Sequence, residues 1–319
     1  MLSRIADSLY WMSRYLERAD STARLLEINL THLLEAEDAL PEAAEWQPVL
    51  SICGNETLWE EFAGGRETTG TRVTEFMTRE SRNPGSIRAS LRLARENARV
   101  VRDRISLEMW EGVNELWLLS EERLAKPPGP DYFRWLRSEV ARFHGLTVST
   151  MTRGEAFGFY LLGLFLERAD MTSRLLDVKY HLLLPDPSLV GSPLDYYQWA
   201  ALLRSLSAFE AYRRKHHVLR PIDVAEFVIL DPDFPRSIHF AVDRMQQALL
   251  GIGASETRSE ALAGVVELAR LLNKTDPGGI FQRGLHEFLA ELLDRISGLH
   301  EALREEYFEA HLGKAACAS

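Results

Sequence analysis

The sequence predicts an all-α fold, a helical bundle made of two halves related by a pseudo-twofold axis, and three observations favour this class. Residues 15–27 (YLERADSTARLLE) and 165–177 (FLERADMTSRLLD) are identical at nine of 13 positions, at an offset of 150. Apolar residues recur in both halves at alternating steps of three and four residues, which is the period of an α-helix. No stretch shows a convincing alternation of apolar and polar residues, the pattern of a half-buried strand.

The repeat extends beyond this motif, which indicates a tandem duplication. At an offset of 151, a second set recurs in the same order: Val73, Glu75, Phe76, Pro84, Ser86 and Ile87 match Val224, Glu226, Phe227, Pro235, Ser237 and Ile238. Two matches in register imply that a unit of about 150 residues occurs twice. We therefore expect halves at 1–150 and 151–319 that pack as one unit. The proline-rich run at 127–130 is the predicted link between them.

The longest apolar stripes lie at the start of each half. One runs from Leu2 to Leu33 and the other from Phe159 to Leu183, so each predicts a long helix. Small residues in mid-stripe favour close approach of helices. Further periodicity predicts helices within 87–117, 132–144, 196–217, 235–250, 259–272 and 281–312. Breaks are predicted at 83–85, 127–130, 185–193, 231–235 and 276–279.

The composition narrows the classes of function. The chain has 37 Lys and Arg against 47 Asp and Glu, a net charge of −10, so neither nucleic acid nor a membrane is an expected partner. No segment has the ~20 apolar residues of a membrane span, and Arg4 and Asp7 interrupt any signal-peptide run. The two cysteines, Cys53 and Cys317, are too few for a disulfide framework. We therefore expect a cytoplasmic protein.

Motifs for metal or nucleotide chemistry are weak or missing. The histidines include the adjacent His216 and His217 and an i,i+4 pair of Asp177 and His181, which is too little for a di-metal bundle. The sequence has no Walker-type glycine loop, no Gly-x-Gly-x-x-Gly and no Gly-x-Ser-x-Gly. We predict no metal site and no cofactor in this chain.

The repeated motif carries its charges on a helix that is apolar nearly all round. On a helical wheel, Asp20 and Arg24 fall within about 60° of Glu17, opposite the main apolar stripe. Tyr10 and Ile28 nevertheless lie within about 20° of Glu17. A helix of this kind is usually buried, which predicts that the charges set into it are buried too.

These buried charges need partners, because an unpaired one costs several kcal/mol. The charged residues of the two copies are Glu17, Arg18, Asp20 and Arg24, and Glu167, Arg168, Asp170 and Arg174. In each copy the aspartate and the second arginine are four residues apart and can pair along the helix. The glutamate and the first arginine are adjacent and point in different directions. We therefore predict crossed pairs between the halves, Glu17 with Arg168 and Arg18 with Glu167.

Two interpretations of these charges stay open. In the first, they only hold two long helices in register. In the second, they line a polar pocket between the halves that binds an anionic or amide-containing group.

A second group of candidate binding residues lies in the run at 95–114. Arg95, Arg99 and Arg102 are spaced to share one side of a helix, with Asn97 among them. The pattern is typical of a solvated face with salt bridges. The alternative is an anion-binding surface with Trp110 as its anchor.

A third candidate is the sequence FPRS at 234–237, which includes Arg236 and Ser237. It reads as a helix start, with Asp233 or Phe234 as the N-cap and Pro235 in the first turn. That local role is enough to explain the motif.

These motifs together resemble the bacterial Alpha-E family, also called DUF403, a helical domain named for its Glu-Arg motif. The resemblance runs from residue 1 to about 310. It rests on LERAD at 16–20 and 166–170, RENAR…RDRIS…EMWE…N at 95–114, TMTR at 150–153 and FPRS at 234–237. One departure is Leu164, where we expect a polar or basic residue, and it puts full symmetry of the two copies in doubt.

The resemblance implies a bacterial cytoplasmic protein encoded beside, or fused to, a circularly permuted ATP-grasp amide ligase. Transglutaminase-like proteins and a proteasome-related peptidase often accompany it, and ATP and Mg²⁺ belong to the ligase. The expected role is an accessory partner that binds an acceptor peptide or amine, or the ligase itself, at the Arg/Glu site between the halves. Two alternatives stay open. One is an enzyme in which Glu17 or Glu167 is a general base and Arg18 or Arg168 stabilises negative charge. The other is a scaffold.

Overall fold

The computed structural model describes residues 1–35, 42–182 and 192–309. Within these ranges the chain forms α-helices and no strand, so the predicted all-α class is confirmed. The helices are α1 (Ser3–Glu35), α2 (Glu42–Ile52), α3 (Glu56–Ala63), α4 (Gly70–Thr78), α5 (Ile87–Val100), α6 (Leu107–Arg123), α7 (Pro130–Thr150), α8 (Glu155–Leu182), α9 (Pro193–Ser205), α10 (Phe209–Lys215), α11 (Pro221–Leu230), α12 (Ile238–Gly251), α13 (Glu260–Lys274), α14 (Pro277–Arg283) and α15 (Leu285–Leu303). A π-helical turn, Arg304–Phe308, follows α15.

The two helices that carry the repeated motif form the centre of the structure. Helix α1 has 33 residues and α8 has 28, as the two long apolar stripes predict. They pack against each other more extensively than any other pair of described helices. Helix α1 is also flanked by α5 and α7, and α8 by α12 and α15. The charged motifs are therefore enclosed by helices on several sides.

A glycine sets how closely the two central helices approach. A Cβ atom at Gly163 of α8 would lie 2.1 Å from the carbonyl oxygen of Tyr10 and 2.3 Å from Oγ of Ser13, both in α1. Because a backbone carbonyl cannot move aside as a flexible side chain can, any larger residue would push the helices apart.

Several predicted boundaries were wrong. The stretch 87–117 is two helices, because Ser106 accepts a hydrogen bond from the backbone N–H of Met109 and so caps a new helix, α6. The predicted break at 276–279 opens α14 instead, with Asp276 as N-cap and Pro277 in the first turn. Helices α2, α3, α4 and α11 have only 8 to 11 residues, and periodicity is hard to read over such lengths.

The proline-rich run that was predicted to link the halves connects two neighbouring helices. The run at 127–130 joins α6 to α7, and Pro130 is the first residue of α7. Helix α7 packs on α1 and α6, so it stays with the helices that precede it. Most of the predicted break at 185–193, the end of the predicted helix at 281–312, and Cys317 lie outside the described residues.

None of the helices that the structure describes combines the length and the apolar character needed to cross a membrane.

Candidate functional site

Each glutamate of the repeated motif binds the arginine of the other copy. Arg18 donates Nε–H to Glu167 Oε1 at 2.6 Å and Nη2–H to Oε2 at 3.0 Å. Arg168 donates Nε–H to Glu17 Oε1 at 3.0 Å and Nη2–H to Oε2 at 2.9 Å. Both pairs are bidentate, the geometry in which a planar guanidinium matches a carboxylate. The predicted crossed pairing between α1 and α8 is confirmed.

The carboxylates of these pairs are almost completely buried. Glu17 is 0% exposed and Glu167 is 1% exposed, which confirms the burial that the apolar surroundings predicted. Arg168 is buried as well, whereas the side chain of Arg18 retains 28% of its exposure. The two pairs therefore differ in their access to solvent.

The aspartates of the motif pair along their own helices, as predicted. Arg24 donates Nε–H to Asp20 Oδ2 at 2.7 Å. Arg174 donates Nε–H to Asp170 Oδ2 at 2.8 Å and Nη2–H to Oδ1 at 3.2 Å. Asp20 is buried, but Arg174 has a side chain that is 42% exposed, so the second pair lies at the edge of the protein.

A further arginine reaches each glutamate, and the two come from different elements. Arg14, one turn before Glu17 in α1, donates Nε–H to Glu167 Oε2 at 2.7 Å. Arg236 donates to Glu17 Oε1 at 2.7 Å and to Asp20 Oδ2 at 2.6 Å.

The sequence interpretation did not include Arg14 in the site. The signal for it was the departure at Leu164, which is the position equivalent to Arg14 at the offset of 150. Leu164 is buried among apolar neighbours, so only one copy supplies an arginine from this position.

Arg236 belongs to the site, although the predicted helix start at this motif was misplaced. Helix α12 begins at Ile238, and its N-cap is Ser237, whose hydroxyl accepts a hydrogen bond from Phe240 N–H. Asp233 and Phe234 therefore do not cap it, and Pro235 lies in the turn before it.

Two hydrogen bonds from α8 hold that turn in place. Arg168 donates Nη1–H to the carbonyl oxygen of Pro235 at 3.1 Å, and Thr172 donates its hydroxyl to the carbonyl oxygen of Arg236 at 3.1 Å. Because these bonds fix the backbone, the side chain of Arg236 is positioned over Glu17.

A tyrosine and a histidine adjoin each glutamate, and the sequence interpretation missed both histidines. The hydroxyl oxygen of Tyr10 lies 2.8 Å from Nδ1 of His300 and accepts a hydrogen bond from Arg14. On the other side, Tyr160 contacts Nδ1 of His144, and the Nε2 atom of His144 lies 3.6 Å from Glu17 Oε2. These histidines come from α7 and α15, and no motif spacing relates them to the glutamates.

The arginines keep both glutamates ionised. Burial acts to raise the pKa of Glu17, but the charges of Arg168 and Arg236 outweigh burial and hold that pKa well below its usual range. Burial likewise opposes Arg18 and Arg14 at Glu167, and the net result lowers the pKa of Glu167 to about 2. Both carboxylates therefore carry negative charge throughout the physiological pH range.

A cavity of about 340 Å³ opens beside Glu167, within the size range of small-molecule sites. The charged and titratable residues that line it are Arg14, Arg18, Cys53, Glu167, Asp170, Arg174 and His300. Burial, followed by the charge of Arg14, lowers the pKa of His300 to about 4, so this wall is uncharged at neutral pH. Glu17 does not line the cavity.

The arginines at 95–114 do not join this site. Arg95 donates to the side-chain oxygen of Asn114 at 2.8 Å, and Arg99 pairs with Glu96 at 2.8 Å. Asn97 donates to a carbonyl oxygen one turn earlier in α5. These local contacts favour the interpretation as a solvated face.

Arg102 does not share the helix with the other two arginines, because α5 ends at Val100. Its guanidinium lies over the ring of Trp110, 5.1 Å from the centroid, so that tryptophan is covered by a neighbouring side chain.

The described part of the chain holds no group of three His, Cys, Asp or Glu side chains suited to a metal ion. Asp177 belongs to the weak candidate pair of Asp177 and His181 in the sequence. Its carboxylate lies 2.7 Å from Nδ1 of His286.

Comparison with known proteins gives a family and no activity. The family model named Alpha-E, described as "a predicted alpha-helical domain with a conserved ER motif", matches residues 1–308. An uncharacterized protein of Mycobacterium bovis is 24% identical over 325 residues, and one of Mycobacterium tuberculosis is 23% identical over the same length. Each alignment covers 95% of this chain but only 36% of the relative, so the chain spans about a third of these longer proteins. No solved structure matches it significantly.

Proposed function

The chain belongs to the Alpha-E family, and we propose that it is an accessory module of a circularly permuted ATP-grasp amide ligase. In this proposal the module binds the acceptor peptide or amine, and the ligase supplies ATP, Mg²⁺ and the chemistry of activation. A transglutaminase-like protein and a proteasome-related peptidase are further proposed partners, and the cytoplasm is the proposed location.

The cavity beside Glu167 carries this proposal. It lies against both α1 and α8, and its charged walls come from both helices. The pairs of Arg14 and Arg18 with Glu167 hold those walls rigidly, since each guanidinium is bound through Nε. A preorganised polar cavity of this size suits recognition of a small polar group.

The length of the relatives supports a role beside another activity. In the mycobacterial proteins the matching segment makes up 36% of the chain, so most of each protein lies outside it. A segment that occurs within larger chains fits a module that works together with a neighbouring domain.

The surroundings of Glu17 favour a second role for this part of the protein, that of a scaffold. There Arg168 and Arg236 occupy the space around the carboxylate, and Glu17 has no exposure. We infer that this side sets the register of α1 and α8 while the Glu167 side binds a ligand. Reciprocal pairs of this kind also support our proposal that the fold arose by tandem duplication, with halves related by a pseudo-twofold axis.

An enzyme acting alone is less well supported. A general base works best when its pKa is near the operating pH. The pKa of Glu167 is lowered to about 2 by Arg18 and Arg14 against the effect of burial, and that of Glu17 is also far below its usual range. Both carboxylates are therefore weak bases at neutral pH.

The test is to mix this chain with the proposed ATP-grasp ligase. That ligase is the one encoded beside this chain, or fused to the matching segment of a relative. Amide formation is followed by mass spectrometry with the ligase alone, this chain alone and both together, each with ATP and Mg²⁺. We expect no product from this chain alone and faster product formation from the mixture. Product from this chain without a ligase, or an unchanged rate in the mixture, would refute the proposal.

A matched pair of variants connects the effect to the cavity. Arg174→Gln removes a cavity wall, and we expect it to abolish the stimulation. Arg295→Gln removes an arginine with the same 42% exposure from a similar i,i+4 pair, with Glu291, and we expect it to retain the stimulation.

A further inference from the structure

The cavity lies beside the first copy of a repeated turn. This copy has a glycine where the second copy has an arginine. At the offset of 151, Gly85 corresponds to Arg236. The following residues, Ser86 and Ser237, have the same structural role, since each accepts a hydrogen bond from a backbone N–H and caps a helix. The turns are therefore alike, and the side chain before the cap differs.

This difference decides which side of the structure has open space. Arg236 extends from its turn and binds Glu17 and Asp20, which fills the space beside them. Gly85 lines the cavity beside Glu167 and offers no side chain to fill it.

Three arginines that line this cavity have donors without an acceptor among the described residues. Arg14 donates through Nε and Nη1, which leaves its Nη2. Arg18 and Arg174 each donate through Nε and Nη2, which leaves Nη1 of both guanidinium groups without an acceptor among the described residues. The equivalent atom on the other side, Nη1 of Arg168, donates to the carbonyl oxygen of Pro235. Because Arg18 and Arg174 line the cavity, we infer that these donors serve a ligand bound there. Guanidinium donors prefer carboxylate or phosphate oxygens.

The charge of the walls selects an anion over a cation. Arg14, Arg18 and Arg174 face two carboxylates, Glu167 and Asp170, so the charged walls carry a net charge of 3 − 2 = +1. A ligand with one negative charge makes this partly enclosed site neutral, whereas a cation would add to an uncompensated positive charge.

We propose that this cavity is a carboxylate-binding site, which holds the carboxylate of an amino acid or short peptide through Arg18 and Arg174. The proposal deepens the function proposed above, because it names the group by which the acceptor is held. An acceptor bound by its carboxylate keeps its amino group available as the nucleophile for the ligase.

Isothermal titration calorimetry on this chain alone tests the assignment with five probes. Acetylglycine and acetylglycylglycine offer a carboxylate from an amino acid and from a peptide, and acetylglycinamide is the neutral control. Ethylguanidinium tests whether the cavity instead accepts a replacement for the missing arginine, and inorganic phosphate tests for a general anion site. We expect a carboxylate probe to bind about tenfold more tightly than the other three. Tighter binding of ethylguanidinium or phosphate, or no binding of either carboxylate, would overturn the assignment.

Gly85→Arg is the decisive variant, since it places the missing side chain in the cavity. A Cβ at this position would be 3.3 Å from Oδ1 of Asn83, a contact that requires that side chain to shift by a few tenths of an ångström. We expect Gly85→Arg to weaken binding of the carboxylate probes by about tenfold or more. Gly264→Arg is the control, because its Cβ would meet nothing within 4 Å, and it should leave binding unchanged.

Arg174→Gln, compared with Arg295→Gln, repeats the test without filling the cavity, and circular dichroism checks that each variant is folded. Unchanged binding in folded Arg174→Gln would refute the assignment. The calorimetric titrations contain no ligase, so a negative result there does not refute the proposed association with a ligase. A negative result in the reconstitution with the ligase likewise does not refute carboxylate binding.

Discussion

The buried pair at Glu17 gives the sharpest prediction about stability. The change Glu17→Gln preserves shape but removes the charge that neutralises Arg168 and Arg236. In the structure this carboxylate accepts three hydrogen bonds from the two guanidiniums, at 2.7, 2.9 and 3.0 Å, with no exposure to solvent. Breaking a buried pair in this way leaves uncompensated charge and costs about 3–5 kcal/mol. In a chain of 319 residues that loss lowers Tm by about 6 °C.

The assay is thermal and urea unfolding followed by the helical circular dichroism signal. The control is Glu267→Gln, whose partner Arg270 is 56% exposed, and its cost should be at most about 0.5 kcal/mol. A cost below about 1 kcal/mol for Glu17→Gln would show that the two arginines find other compensation, and the reasoning from burial would be wrong.

Three further predictions concern acid, packing and reactivity. Because the pKa of Glu167 is lowered to about 2, its ionisation contributes about 3 kcal/mol above pH 5 that is lost as the pH falls towards 2. The stability difference between the wild type and Glu167→Gln should therefore shrink over that range in urea unfolding, and a constant difference would contradict the assigned pKa. Gly163→Ala should cost about 1–3 kcal/mol because its Cβ meets a backbone carbonyl at 2.1 Å, whereas Gly264→Ala, in open space, should stabilise by about 0.5–1 kcal/mol. Burial raises the pKa of Cys53 to about 12, so in a Cys317→Ser background alkylation by iodoacetamide at pH 8 should be much slower than that of free cysteine; an equal rate would refute it.

The repeated motif allowed much of the central site to be predicted. The apolar residues around Glu17 indicated burial, and the adjacency of glutamate and arginine required partners on the other copy. The bidentate pairs with Arg168 and Arg18 agree with that reasoning. Such inferences succeed because helical geometry is periodic, so direction follows from spacing along one helix.

The same reasoning failed where contacts join distant elements. Arg236 was read as part of a local helix start, yet it binds a carboxylate 219 positions away in the sequence. His144 and His300 were missed for the same reason, since α7 and α15 carry them to the motif helices. The arginines at 95–114 had a suggestive spacing, but the end of α5 at Val100 and contacts with neighbouring residues separate them from the site.

The amino-acid sequence alone determined the helical class, the two copies of the motif and the exchange of partners between them, because these follow from period, repetition and the cost of burying charge. Only the tertiary structure decided that the two sides differ. Packing brings Arg236 into the space beside Glu17, while Gly85 leaves the space beside Glu167 open. Whether a side chain fills a space depends on how helices from distant parts of the chain pack against each other. The spacing of residues along the sequence does not determine that packing.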